Sequence, residues 1–275
     1  MSDVLLAVED LTKTFGDNVA VDKVSFELNA SEILGVVGES GSGKTTLARC
    51  IMRAIKADSG SVRFRGEHGW HDLLAMSDKE LFPLRRQIQL VFQDPFASLN
   101  PRMTVQEILE EPLIIHAASM GMRTKQARRG AVRDILASVH LEQDVLTRFP
   151  HAFSGGQRQR ISIARALILN PRLIVCDESV SALDVSVQAQ IINLLEDLQA
   201  RLGLSYLFVA HDLSLVKHIC DRVLVMFRGK VVEEGEVEAV FNAPQHDYTK
   251  LLLSAIPSPD PDVRLAPIDR STLLI

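Results

Sequence analysis

Apolar and polar residues alternate over positions 4–8 and 19–28, most clearly in Val24-Ser25-Phe26-Glu27-Leu28. A period of two predicts half-buried strands, and Phe15, Gly16 and Asp17 between them predict a turn. The pattern changes at Ile33-Leu34-Gly35-Val36-Val37, a continuous apolar run that predicts a strand, with a glycine-rich loop and then a helix starting near Lys44. Asp58-Ser59-Gly60 predicts another turn and Ser61-Val62-Arg63-Phe64 another short alternating strand. The front of the chain therefore reads as an antiparallel β layer beside the apolar strand. Residues 66–82 are polar and irregular and predict a loop, whereas Ile88-Gln89-Leu90-Val91-Phe92 is a compact apolar strand.

From about Thr104 to Arg148 the period becomes helical, with Val105, Ile108 and Leu109 followed by Val132, Ile135, Leu136 and Val139, which predicts an all-helical insertion. Phe149-Pro150 closes it. Ser154 suits the N-cap of a helix running to about Leu169, with Ile161, Ala164 and Ile168 on one face and Asn170-Pro171 as its stop. Leu173-Ile174-Val175-Cys176 predicts a short buried strand. A helix over 187–202 turns Val187, Ile191, Leu194, Leu195, Leu198 and Leu202 inward, with Gly203 past its end. Strands follow at 206–210 and 223–227, and Arg228-Gly229-Lys230 predicts a hairpin turn. Strands alternating with helices imply a mostly parallel sheet covered on both faces, with ligands at the carboxyl ends of its strands. Gly38, Gln93, Asp177 and His211 all fall at such ends.

Composition narrows the class. A chain of 275 residues, 47% hydrophobic and 24% charged, has the make-up of a soluble globular protein of one large or two small domains. The net charge of −5 argues against nucleic acid as the main partner. Arg123, Lys125, Arg128, Arg129 and Arg133 are spaced as the solvated face of a helix. Cys50, Cys176 and Cys220 lie far apart inside apolar runs and read as buried, reduced thiols. No apolar run approaches the roughly 18 residues of a membrane-spanning helix, and the first residues lack the features of a signal peptide. His68 and His71 have no third ligand nearby and read as loop residues. Beyond Pro257, with Pro259, Pro261 and Pro267, the tail reads as extended and poorly ordered.

The chemistry centres on Gly38 to Thr45, GESGSGKT, which fits the P-loop pattern with a strand before it and a helix after it. Gly38, Gly41 and Gly43 let successive N–H groups of the loop, with Glu39, Ser40 and Ser42, point at phosphate oxygens, and the helix that opens with Lys44, Thr45 and Thr46 adds the positive end of its dipole. Lys44 would reach the β- and γ-phosphates and the Thr45 hydroxyl a Mg²⁺ ion. The alternative is a glycine-rich turn before an ordinary helix. Asp177 after a buried strand is a second expected metal ligand, and Glu178 beside it is placed to accept a proton from an attacking water. Gln93 can coordinate Mg²⁺ or orient water, and His211 can bond a γ-phosphate oxygen or the Glu178 carboxylate. Taken singly, each has an ordinary structural alternative. In this order around a P-loop they form a set suited to phosphoryl transfer.

With SGGQ at 154–157 ahead of RQRISIARAL, the chain resembles the ATP-binding cassette ATPases over residues 4–254. Ser154 and the Gly155 and Gly156 amides crown a helix N-terminus and form a second anion site, with Gln157 completing the motif. The resemblance implies an α/β fold with a P-loop NTPase (RecA-like) core, an antiparallel β subdomain and a helical subdomain inserted at about 94–153, residues 1–255 forming one nucleotide-binding domain. It also implies an adenine-stacking role for Phe15, Walker B at 173–177, a D-loop at 181–184, and ATP with Mg²⁺ as ligands. Two ATP molecules would be sandwiched between two cassettes, each completed by the SGGQ of the other subunit. Integral membrane permease subunits would dock on the helical insertion.

A finer resemblance is to the oligopeptide, dipeptide and nickel importer ATPases, carried by QDPFASLNPRMTV at 93–105, SALDVSVQAQIINLL at 181–195, HDLSLVKHICDRVLVM at 211–226 and HDYTKLLLSAIP at 246–257. Phe153 and Ser179 depart from the common Leu and Pro but preserve size, and the tail lacks the cysteines of an iron–sulfur centre. The expectation is a peripheral ATPase subunit at the cytoplasmic face of the inner membrane. It would drive uptake of a peptide-like solute, delivered indirectly by a solute-binding protein. The rival expectation is a non-transport cassette ATPase acting on nucleic acid or ribosomes, disfavoured because the chain has neither a long coiled-coil insertion nor a second cassette.

Overall fold

The computed structural model describes residues 3–92, 94, 98–178 and 183–255. In chain order the elements are β1 (Val4–Phe15), β2 (Asn18–Asn29), β3 (Ile33–Val37), α1 (Lys44–Ile51), β4 (Ser59–Gly66), β5 (Gly69–Asp72), α2 (Asp78–Arg85) and β6 (Ile88–Val91). There follow α3 (Val105–Ile115), α4 (Ala117–Met120), α5 (Lys125–Ser138), two 3₁₀ turns at Gln143–Thr147 and Pro150–Ala152, α6 (Gly155–Leu167), β7 (Leu173–Asp177) and α7 (Val185–Leu202). The described chain ends with β8 (Ser205–Val209), α8 (Leu213–Ile219), β9 (Arg222–Phe227), β10 (Lys230–Glu236), α9 (Val237–Asn242) and α10 (Asp247–Ser254).

Two sheets result. One is antiparallel, in the order β2-β1-β4-β5. The other runs β10-β9-β3-β8-β7-β6, parallel throughout except for β10. Side chains of successive strand residues point to opposite faces, and β3, β7 and β8 are buried at every position because both faces are covered. One face gathers Ile33, Val37, Ile174, Cys176, Tyr206 and Phe208 with Leu109 of α3, Val132 of α5, Ile161 of α6, Ile191 of α7 and Val216 of α8. The other gathers Leu34, Val36, Val175, Leu207 and Met226 with Leu47 and Ile51 of α1 and with Leu6, Val24 and Phe64 of the antiparallel sheet. Each Val, Leu, Ile, Phe or Met among them contributes about 1.5–3 kcal/mol by leaving water.

Several expectations are corrected. Residues 66–82 are not an irregular loop: they contain the turn and second strand of the β4–β5 hairpin, and α2 begins at Asp78. Ser77 and Glu80 form a reciprocal capping box that starts this helix despite the polar sequence. Leu202, expected to point inward, is 52% exposed, because α7 ends there in a left-handed Gly203 and its last turn has run past the sheet. The helical insertion includes the two 3₁₀ turns. The expected extended tail, Gln93, and Ser181 and Ala182 of the D-loop lie outside the described residues.

Gly35, in the middle of β3, has a packing role. A Cβ there would lie 2.9 Å from Cγ1 of Val216 and 3.0 Å from Sγ of Cys220, so α8 sits directly on the strand backbone. Gly35→Val should destabilise the fold by about 1–3 kcal/mol through overpacking. That corresponds to a loss of several degrees in thermal melting, at about 2–4 °C per kcal/mol for a chain of this size.

Candidate active site

β3 delivers the chain into the loop and α1 takes it out. Gly38, Gly41 and Gly43 have φ values of 151°, 82° and 106°, which side chains disfavour. Space enforces the same choice: a Cβ on Gly38 would lie 2.2 Å from the Met226 carbonyl oxygen, and one on Gly43 2.1 Å from that of Ala20. β9 and β2 thus press against the outside of the loop. The Gly229 N–H donates to the Ser42 carbonyl at 3.0 Å, and the Glu39 N–H donates to the Tyr248 hydroxyl at 2.9 Å. The N-terminus of α1 has no side-chain cap, so its first N–H groups and dipole are available to an anion.

Lys44 is buried. Its Nζ donates to the carbonyls of Gly38 at 2.7 Å and Glu39 at 2.9 Å, threading the loop. Burial pushes its pKa down, and the charges of Glu178, Asp177 and Glu39 oppose that shift. Thr45 Oγ1 donates to Asp177 Oδ1 at 3.0 Å, which joins the start of α1 to the end of β7. Burial pushes the Asp177 carboxyl up. The Thr45 bond and the cations Arg49 and Lys44 pull it back, while Glu178 adds to the rise. A hydroxyl and a carboxylate in contact are the all-oxygen donor type of a hard divalent cation, so Thr45 and Asp177 fit Mg²⁺.

Glu178 adopts φ 49°, a left-handed conformation rare for a residue with a long side chain. Its N–H donates to the Val209 carbonyl at 2.9 Å, so β8 holds it there. Its Oε2 lies 3.4 Å from Nδ1 of His211, and Gln188 of α7 lines the same small cleft. Strain of this kind, of order 1–3 kcal/mol, persists where the surroundings over-determine it.

Ser154 Oγ accepts the Gln157 N–H at 3.3 Å, and Gln157 Oε1 accepts the Ser154 N–H at 3.1 Å, a reciprocal box that opens α6. A Cβ on Gly156 would lie 2.5 Å from Cγ1 of Val187, so α7 seats directly on this turn. Among the described residues no hydrogen bond or ion pair joins 154–157 to 38–46. The reason is architectural: α6 packs on one face of the parallel sheet and α1 on the other. Phe15, 48% exposed, ends β1 in the hairpin whose second strand carries Ala20 to the loop, and Lys13 Nζ stands 5.2 Å from its ring centre. Ser40 is exposed and Thr46 half-buried in the first turn of α1.

Sequence reasoning placed Lys44, Thr45, Asp177, Glu178 and His211 in one site, and the structure brings these together. It missed Tyr248 and Gln188. Tyr248 stood in a stretch singled out only as a family pattern and Gln188 in one read as a helix, and long-range contacts of this kind have no local periodicity.

A strand, a glycine loop threaded by its own lysine, and a Thr–Asp pair at the helix start define a P-loop nucleoside triphosphatase. The chain belongs to the ABC transporter family, whose model matches residues 21–181; the model described as Oligopeptide/dipeptide transporter, C-terminal region, matches residues 232–273. The chain is an ATPase of this family. It is 51% identical over 264 residues to a putative peptide import ATP-binding protein of Brucella ovis, covering 94% of this chain and 81% of that one. It is 53% identical over 244 residues to the oligopeptide transport ATP-binding protein OppF of Salmonella typhimurium, covering 89% and 71%. Among solved structures, a dimeric post-hydrolysis ATP-binding cassette bound to ADP and Pi superposes with a TM-score of 0.72 at 29% identity, over 85% of this chain and 99% of that one. The cbiO1 protein of Clostridium perfringens, part of an ABC transporter complex, superposes with a TM-score of 0.75 at 27% identity, over 88% and 92%.

The upward shift of Asp177 has a consequence for stability. A carboxyl whose folded pKa lies above its unfolded value favours the fold when protonated and weakens it as pH rises through the folded pKa. Asp177→Asn should therefore raise the melting temperature at pH 7 in buffer free of divalent cations. The gain should shrink as pH falls below the carboxylate range, while hydrolysis is lost. Thermal melts across pH check this.

Proposed function

We propose that this chain is the ATP-hydrolysing subunit of an importer for peptides or a peptide-like solute, working as one of a pair of cassettes docked on integral membrane permease subunits. In this reading the backbone N–H groups of the loop and of the start of α1, other than that of Glu39, hold the triphosphate with Lys44, and Phe15 stacks on the adenine. Thr45, Asp177 and Gln93 would hold Mg²⁺, which would supply positive charge against the triphosphate. Glu178 takes the proton of the attacking water, and His211 orients Glu178 and the γ-phosphate. Residues 1–255 act as one nucleotide-binding domain with a helical insertion at about 94–153.

The observation that carries the reading is the separation of the two anion-binding helix ends. The P-loop end of α1 and the Ser154–Gln157 end of α6 stand on opposite faces of one sheet. A second cassette, identical or paralogous, brings its own Ser154, Gly155, Gly156 and Gln157 or their equivalents over the γ-phosphate. The relatives named as peptide and oligopeptide import or transport ATP-binding proteins support the solute class.

Permease docking is supported by a groove beside β6, the edge strand of the parallel sheet. Phe92, 47% exposed, and Ile115, 55% exposed, line it with Arg53, Arg85, Glu111 and Arg165, giving an apolar floor with a charged rim. No helix of the described residues is long and apolar enough to cross a membrane. In this reading the permeases hold the subunit at the cytoplasmic face. A solute-binding protein would act on it only through the permeases.

Glu178→Gln should lower ATP turnover at least about a hundredfold while leaving ATP binding intact and trapping a closed dimer, read by phosphate release and size-exclusion chromatography. Wild-type turnover in that variant would remove Glu178 from its role. Specific activity of the wild-type chain should rise with protein concentration; constant activity in a demonstrably monomeric form would contradict the shared site. Ile115→Asp should reduce recovery with membrane subunits and leave hydrolysis by the isolated chain within about twofold.

A further inference from the structure

Ala20 of β2, Met226 of β9 and Gly229 of the β9–β10 turn hold the loop from the sheet side. The Tyr248 contact comes instead from α10. Tyr248 of α10 is 1% exposed, its ring centre is 4.2 Å from that of Phe227, and its hydroxyl oxygen accepts the N–H of Glu39 at 2.9 Å. The carbonyl of the same Glu39 accepts Lys44 Nζ at 2.9 Å. A displacement of Glu39 therefore moves an acceptor of the lysine that faces the phosphates.

The segment leading to Tyr248 is itself pinned. Glu233 of β10 accepts the N–H groups of Gln245 at 2.7 Å and His246 at 3.0 Å, and His246 Nδ1 accepts the Tyr248 N–H at 3.1 Å. These residues fall in the stretch 232–273 that matches the oligopeptide/dipeptide transporter C-terminal region, outside the 21–181 stretch that matches the ABC transporter model.

We propose that the C-terminal helix braces the P-loop, with Tyr248 as a positioning residue that sets ATP affinity through Glu39 and Lys44. The inference rests on the reading of residues 38–46 as the ATP site. Its chemistry is a single hydrogen bond to the loop backbone: without the acceptor, the Glu39 N–H is unpaired and the loop is free to shift away from the geometry that binds phosphate.

The test is Tyr248→Phe in the full chain, which keeps the ring on Phe227 and deletes the hydroxyl. Titration with a fluorescent ATP analogue and steady-state hydrolysis should show Kd and KM raised about three- to tenfold, the scale of one hydrogen bond, with kcat at saturating ATP changed far less. Melting of Tyr248→Phe should stay near wild type, whereas Tyr248→Leu, which also removes the ring, should melt lower. Glu233→Gln, remote from the loop, should shift Kd in the same direction. Wild-type affinity in Tyr248→Phe would overturn the brace, as would equal losses of kcat, affinity and melting temperature in the Phe and Leu variants. Failure of the wild-type chain to bind the analogue would overturn the ATP site itself, so the two failures are distinguishable.

Discussion

A phosphate cradle built from backbone amides has to be held in shape from outside, because the groups that would stabilise it as a turn are the ones it presents to the ligand. Here that constraint is met by close approach. Met226 and Ala20 carbonyls sit where the Cβ atoms of Gly38 and Gly43 would be, so β9 and β2 are walls of the loop. The antiparallel sheet is therefore more than an added layer. Its hairpin carries Phe15 and Ala20 together to the loop, and Lys44, turned onto the carbonyls of Gly38 and Glu39, closes the loop from within.

The parallel sheet acts as a partition. β3, β7 and β8 are buried on both faces, and that double burial keeps α1 and α6 on opposite sides. Gly43 precedes α1, and Gly155 and Gly156 open α6 behind the Ser154 cap, yet the sheet between them keeps the two helix starts apart. In the proposed function, the stability of the core and the role of a second cassette thus have one origin.

Chemistry at the carboxyl edge of the sheet is maintained against local preference. Burial disfavours the charges of both Lys44 and Asp177, and Glu178 is held in a left-handed conformation by a hydrogen bond to β8. These unfavourable terms sit together at one edge of a rigid sheet, where the surrounding core is large enough to offset them.

By itself the sequence determined the strand–loop–helix at 33–52, the buried strand ending at Asp177, the N-cap at Ser154 and the glycine end at 203, because each is written in local periodicity and capping chemistry. It misjudged α2, whose capping box starts a helix with a weak apolar stripe, and Leu202, whose inward phase holds only while the helix stays over the sheet. Tertiary structure alone decided that Thr45 meets Asp177, that Glu178 turns toward His211, that Gln188 joins them, and that Tyr248 reaches Glu39. Those contacts join residues far apart in the chain, and such pairings are set by strand order and sheet register, which no local pattern records.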